Sequence, residues 1–343
     1  MQTAPRTTAD ATAGELAGVL VVGQLFTDVV FGDLPGAPAL GHEVWTSSFG
    51  AGPGGIANFA LASARLGVRT ALAAAVGEDA FSSMTRASLA AEGVDLTHLV
   101  TVPGWSLPVT ASLGYDDDRA LVTGGTPAPL GSDELLPDGP PAAAVALVHL
   151  EEARTRWIGR AASQGTRVFA DVGWDPAERW DQTLLDQLDE CHAFLPNHLE
   201  AMAYTGRDSA REAARALAER VPLSVVTSGS AGVVAVDAST GEEVERPPLR
   251  VRAVDATGAG DVFGAALAVA GSQPAWSLLQ RIDFACLVAG VTVSRPGGAS
   301  GAPRLDELAD WLGAHPEAAE PGRYHFVLDA LHDQGDDGTT PFS

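Results

Sequence analysis

Short apolar runs and amphipathic stretches take turns along this chain, and that alternation restricts its fold more than any other feature. Thr70 to Val76 reads as a strand and Ala80 to Glu92 as a helix. Ala143 to Leu150 pairs in the same way with Arg154 to Ser163, Val168 to Val172 with Leu184 to Glu190, and Ala193 to Leu195 with Leu199 to Tyr204. A strand covered on both faces is apolar throughout, and each crossover helix buries one stripe against it, so the repeated pairs predict an α/β fold with a doubly wound, mainly parallel sheet. Val19 to Leu25 opens the series as a buried strand. Residues 26–50 and 102–124 break it with Gly, Pro and alternating apolar positions, the pattern of short strands in a small β lid. Residues 1–17 are expected to be a disordered N-terminal segment, 18–325 the folded domain, and 326–343 a C-terminal tail whose end, Gly335 to Ser343, reads as disordered.

Within this frame the stretch Val254-Asp255-Ala256-Thr257-Gly258-Ala259-Gly260-Asp261-Val262 carries chemistry. Arg250 to Val254 reads as the end of a strand and Val262 to Ala270 as a buried helix, which puts Thr257 to Asp261 at a helix N-terminus. Gly258 and Gly260 lack a Cβ, so a ligand can approach the backbone, where unpaired first-turn amides, with that of Ala259 among them, point outward. That is an anion site. Asp261 would repel a bound phosphate unless a base were wanted there. Phosphoryl transfer to an alcohol wants one, because the attacking hydroxyl must shed its proton while the amides stabilise the moving group. The plainer alternative is that Asp261 favours the helix dipole and the glycines make a turn.

Composition narrows the partners. A net charge of −23 argues against nucleic acid and anionic membranes, which need clustered basic residues. All 21 basic residues are Arg, so phosphate handling must use backbone amides, Arg and metal rather than a lysine. No apolar run approaches a bilayer's thickness, and residues 1–18 lack a signal peptide's hydrophobic block. Cys191 and Cys286 stand alone, without metal or disulfide spacing. A cytoplasmic location is expected.

A second glycine cluster invites a different function. Gly50, Gly52 and Gly55 satisfy GxGxxG, a strand reads before them and a helix after, and Glu78 and Asp79 lie near the distance of a ribose-binding acid. An NAD-dependent oxidoreductase is thus a rival reading, weakened by Pro53 inside the loop and by the earlier strand with its own turn at Gly23.

Together these residues resemble the ribokinase-like, or PfkB, family of carbohydrate and nucleoside kinases, from about Val19 to Trp311. Asp255 to Asp261 is similar to the family's C-terminal signature. Gly54-Gly55-Ile56-Ala57-Asn58-Phe59-Ala60, leading into Ala64-Arg65-Leu66-Gly67, is similar to its N-terminal one. Asn197-His198-Leu199-Glu200 resembles its NxxE element, and Thr227-Ser228-Gly229-Ser230-Ala231-Gly232 its nucleotide-contacting TxGxxG. The resemblance implies a ribokinase-like sheet with a lid and Asp261 as base. It implies ATP held at Thr227, Ser228, Gly229, Gly232, Thr257 and Asn197, and Mg²⁺ oriented by Asn197 and Glu200 through water. On the acceptor side it implies contacts from Asp28, Gly54, Gly55, Asn58 and, more weakly, Glu151. Asp255 and residues 295–301 could hold a monovalent cation such as potassium, and a homodimer through the lid follows by analogy.

The departures bear on the acceptor. Ile56-Ala57 replaces a lysine that ribokinases carry, and the usual DxN reads Asp171-Val172-Gly173, which puts ribose itself in doubt. Residues 26–60 hold no Arg and the second lid segment only Arg119, so an uncharged acceptor is expected, since a second phosphate would need cations. Asp116 to Asp118 would repel an anion. A free sugar is the favoured acceptor and a nucleoside the alternative.

Overall fold

The computed structural model describes residues 17–115, 118–151, 154–173, 175 and 177–333. In chain order the elements are β1 (Ala17–Val22), β2 (Leu25–Gly32), β3 (Ser48–Gly55), α1 (Ala57–Arg65), β4 (Thr70–Val76), α2 (Ala80–Ala91), β5 (Leu99–Thr101), β6 (Val109–Tyr115), β7 (Asp118–Gly124) and α3 (Ser132–Leu135). They continue with β8 (Ala143–His149), α4 (Arg156–Ser163), β9 (Arg167–Asp171), β10 (Ala193–Phe194), α5 (His198–Thr205), α6 (Ala210–Leu217), β11 (Leu223–Thr227), β12 (Val233–Asp237) and β13 (Glu242–Arg246). The last four are α7 (Ala259–Ala270), α8 (Leu278–Val293), α9 (Glu307–Ala314) and α10 (His325–Asp333).

Nine strands form the main sheet in the order β13-β12-β11-β10-β9-β8-β1-β4-β5, all in one direction except β12, which is antiparallel to both its neighbours. Its two-sided burial follows from the sequence. In β1, Val19 and Val21 face a core that includes Phe59, Val262 and Leu287, while Leu20 and Val22 face another that includes Ile158, Phe194 and Leu217. β4 is buried at all seven positions. α7 runs through the first core, with every residue from Val262 to Ala270 buried, which is why its sequence is apolar on all sides. Both lid segments form one four-stranded sheet, β3-β2-β6-β7, in which only the β2–β6 pair is parallel.

Three local readings change. No strand forms over Arg250 to Val254. Pro247 and Pro248 cannot donate to a ladder, and the amides of Arg250 and Val254 each bond a loop or helix-end carbonyl, Ala318 and Val293. Leu184 to Glu190 lies in a 3₁₀ segment, Gln182–Glu190, rather than an α-helix. Residues 325–333, read largely as tail, form α10, whose Val327 is buried in the first core. Residues 1–16, Asp116, Asp117 and 334–343 lie outside the described residues, and with them most of the expected N-terminal segment, the acidic turn and the end of the tail. Among the described residues no helix is long and apolar enough to cross a membrane.

Candidate active site

Gly258 starts α7 in the left-handed region, φ 71°, a conformation that favours glycine. A Cβ there would also lie 2.8 Å from Asn58 Nδ2. Asp255 holds the approach: its carboxylate accepts from the amides of Thr257 at 2.9 Å and Gly297 at 3.2 Å. Ala259, Gly260 and Asp261 form the first turn, and Asp261 keeps both carboxylate oxygens engaged from opposite sides. Asn58 Nδ2 donates to Oδ2 at 2.8 Å, and His149 Nε2 donates to Oδ1 at 2.9 Å.

Asp261 therefore reaches the lid side of the sheet. Asn58, on the first turn of α1, lines a cavity of about 90 Å³ together with Asp28, Gly52, Thr257, Gly297 and Ser300. Asp28 comes from β2 and faces Gly52 across the β2–β3 ladder; a Cβ on Gly54 would collide with its carboxyl. Gly55 closes the strand with φ 61°, where a Cβ would meet the ring of Phe26. Burial, with Asp261 and Asp255 nearby and Arg119 in opposition, pushes the Asp28 carboxyl up to about 7. A larger cavity of about 350 Å³ shares Val30, Gly50 and Gly297 with the first and adds Phe31, Phe49, Tyr115 and Arg119. Glu151 is placed apart. It accepts from Gln24 Nε2 at 2.9 Å and lines a small separate cleft with Gly23 and His149.

The nucleotide candidates gather at the ends of neighbouring strands. β11 stops at Thr227, which bridges to Asn197, and the turn that follows places Gly229 and Gly232 at φ 52° and 95°. Ser228 donates its amide to the Gly232 carbonyl, which closes the loop. Asn197 and Glu200 form a capping box: Asn197 Oδ1 accepts from the amides of Leu199 and Glu200, and Glu200 accepts from the Asn197 amide. Burial pushes Glu200 up to about 7, and Asp171, buried beside it, well above the usual carboxylate range. The Glu200 carboxyl and the Asn197 side-chain carbonyl, side by side at the start of α5, make an oxygen-only donor set of the kind a hydrated Mg²⁺ takes.

Spacing did not single out His149. It ends β8, opposite Asp171 on β9, and its ring sits 5.1 Å from that of Phe59. The available signal was position alone, since ligand-handling groups collect at the carboxyl ends of parallel strands. The dinucleotide reading fails on geometry. Gly50, Gly52 and Gly55 lie along β3, an antiparallel lid strand, rather than in a parallel strand-to-helix turn, and Asp79 caps α2.

A lidded, doubly wound sheet with a glycine-flanked carboxylate at a helix start beneath the lid is the architecture of a sugar or nucleoside kinase using ATP. Residues 19–305 match the pfkB family carbohydrate kinases, and the chain belongs to that family of ATP-dependent kinases. It is 26% identical over 287 residues to a deoxyribokinase of Salmonella typhi, covering 80% of this chain and 92% of the relative. With a ribokinase of Lactococcus lactis the identity is 27% over 298 residues, covering 84% and 95%. Its fold superposes with a TM-score of 0.71 on a structure described as a putative ribokinase II from E. coli in complex with ATP and Mg²⁺, at 21% identity, covering 88% of this chain and 100% of that one.

Proposed function

We propose that this kinase transfers the terminal phosphoryl group of ATP to a hydroxyl of a free, non-phosphorylated sugar, with Asp261 as general base. The observation that carries the reading is the Asn58–Asp261 hydrogen bond, because Asn58 also lines the Asp28 cavity and so ties the base to the place where a hydroxyl would sit. Asp28 and Asn58 supply acceptor and donor groups for sugar hydroxyls, which are themselves both. Gly54 and Gly55 bring the lid backbone close, and Glu151 acts at most from the neighbouring cleft. The amides of Gly258 and Gly260 receive the charge of the moving group, that of Ala259, expected to be unpaired, being bonded to the Ala256 carbonyl at 3.2 Å, and the lid keeps out water that would compete as acceptor.

Thr227, Ser228, Gly229, Gly232 and Thr257 would hold the nucleotide, and Asn197 and Glu200 would orient Mg²⁺ through its water shell. The metal, when bound, neutralises phosphate charge. Asp255 is less suited to a monovalent cation. Both its oxygens accept backbone amides, and the carbonyls of Ser300 and Ala302 accept from Arg65 Nη1. A homodimer through the lid is part of the reading, supported by the exposed apolar residues Trp45, Phe49, Leu121 and Val122.

The nucleoside alternative draws on the larger cavity, whose Phe31, Phe49 and Tyr115 could stack on a base. An ADP-release assay over hexoses, pentoses, adenosine, inosine and cytidine separates the two. Turnover with a free sugar and none with nucleosides is expected, and the reverse pattern would transfer the assignment to nucleosides.

A further inference from the structure

The two hydrogen bonds to Asp261 are not equivalent. Asn58 lines the cavity where an acceptor would sit, so its bond can be exchanged for one to substrate. His149 borders the separate cleft with Gly23, Gln24 and Glu151, and its bond to Oδ1 survives that exchange. Its ring is 16% exposed and packed against Phe59, which leaves it little freedom to turn. One carboxylate oxygen of Asp171 lies within 4.8 Å of both the ring and Asp261, so the imidazole stands between two acids. Given Asp261 as the base, we infer that His149 is a positioning residue for the transfer: an imidazolium that pins Oδ1, leaves Oδ2 to take the acceptor proton, and offsets the acids beneath the lid.

The step balances without any change at His149. The acceptor O–H bond breaks and its proton passes to Asp261 Oδ2. The acceptor oxygen then bonds the terminal phosphorus, whose bond to the bridging oxygen breaks with the electron pair leaving on ADP. As product departs, the proton returns to solvent.

Burial by itself would push His149 down. The hydrogen bond and charge of Asp261 on α7, with Asp171 on β9 and Glu151 beyond β8, carry it up to about 9, and Glu200 on α5 adds a further negative charge facing it. The charged form thus prevails through neutral pH and is lost as pH rises through about 9, so kcat should fall there.

The test uses His149→Gln and His149→Asn in the ADP-release assay, with nucleotide affinity and Tm as folding controls. The expected result is kcat about thirtyfold lower, KM for either substrate within about threefold, and loss of the alkaline fall that wild type shows near pH 9, as for a group that orients a base. If both variants fail to fold, the wild-type kcat profile decides. A flat profile between about pH 8 and about pH 10 would overturn the inference, as would variants with wild-type kcat or with a loss confined to KM. If wild type and Asp261→Asn turn over equally, the base assignment fails and this inference with it; if only Asp261→Asn is impaired, the inference alone fails.

Discussion

Gly54 and Gly260 stand in two of the chain's glycine clusters, and each precedes or opens a helix, yet they lack a Cβ for different reasons. At Gly54 the space is already filled by protein: a Cβ would strike the Asp28 carboxyl, so the glycine is what lets β2 and β3 pair with an acid between them. At Gly260 nothing lies within 4 Å of the position a Cβ would take. That residue leaves room beside first-turn amides and next to Asp261, where the proposed chemistry puts the phosphoryl group. The contrast shows that a glycine-rich motif is interpreted by what its missing side chain would touch. On the proposed function, one cluster would shape the acceptor pocket and the other would leave the reaction path open.

The sharpest way to break this comparison is Gly54→Ala. Displacing Asp28 should raise the sugar KM about thirtyfold, the cost of losing a buried hydrogen-bond partner to hydroxyls, with kcat changed less than about threefold. Steady-state kinetics in both substrates would check it, and an effect on kcat alone would contradict the assignment of β3 to the acceptor. Gly260→Ala should give the opposite pattern: kcat about tenfold lower with the sugar KM retained, while Tm holds or rises because Ala is favoured by about 1 kcal/mol within a helix. An enzyme stabilised and fully active would show that the open space is unused.

The acid that Gly54 accommodates also leaves a mark on stability. Asp28 and Glu200 are each raised to about 7 and His149 to about 9, so between about pH 6.5 and about pH 9 the folded chain binds more protons than the unfolded one. Stability must therefore fall as pH rises across that window. His192, lowered by burial, acts in the other direction and only below its ordinary value. The ligand-free Tm should drop by about 5 °C over the window, and Asp28→Asn should reduce that drop, as seen by calorimetry. A Tm that stays flat across the window would mean that these groups titrate in the folded chain as they do in water. The smallest effect is expected on the far side of the helix-start loop: replacing potassium by tetramethylammonium should change kcat by less than about twofold, because backbone amides and Arg65 already occupy Asp255 and the nearby carbonyls.

Much of this was legible in the sequence because its causes are local. Strand–helix alternation announces a parallel sheet, and the Gly258–Gly260 spacing a helix start. The lid segments separate from the core by their turn residues. Contacts made across long separations were not legible. His149 and Asp261 are 112 residues apart and meet only because β8 and α7 converge at one end of the sheet. Arg250 to Val254 reads as the end of a strand, but the prolines before it and its bonds to the Ala318 and Val293 carbonyls leave it outside either sheet. The family resemblance points Asn197 and Glu200 at a metal, whereas the structure also engages them in a capping box, a second use of the same two side chains that spacing alone cannot rank against the first.

The most direct measurement compares wild type and Asp261→Asn in a rapid-quench assay of phosphoryl transfer, with nucleotide binding followed on the same samples. Loss of a positioned base predicts unchanged nucleotide affinity and a transfer rate lower by about a hundredfold or more. A variant that binds nucleotide and transfers its phosphoryl group to sugar at the wild-type rate would contradict the account.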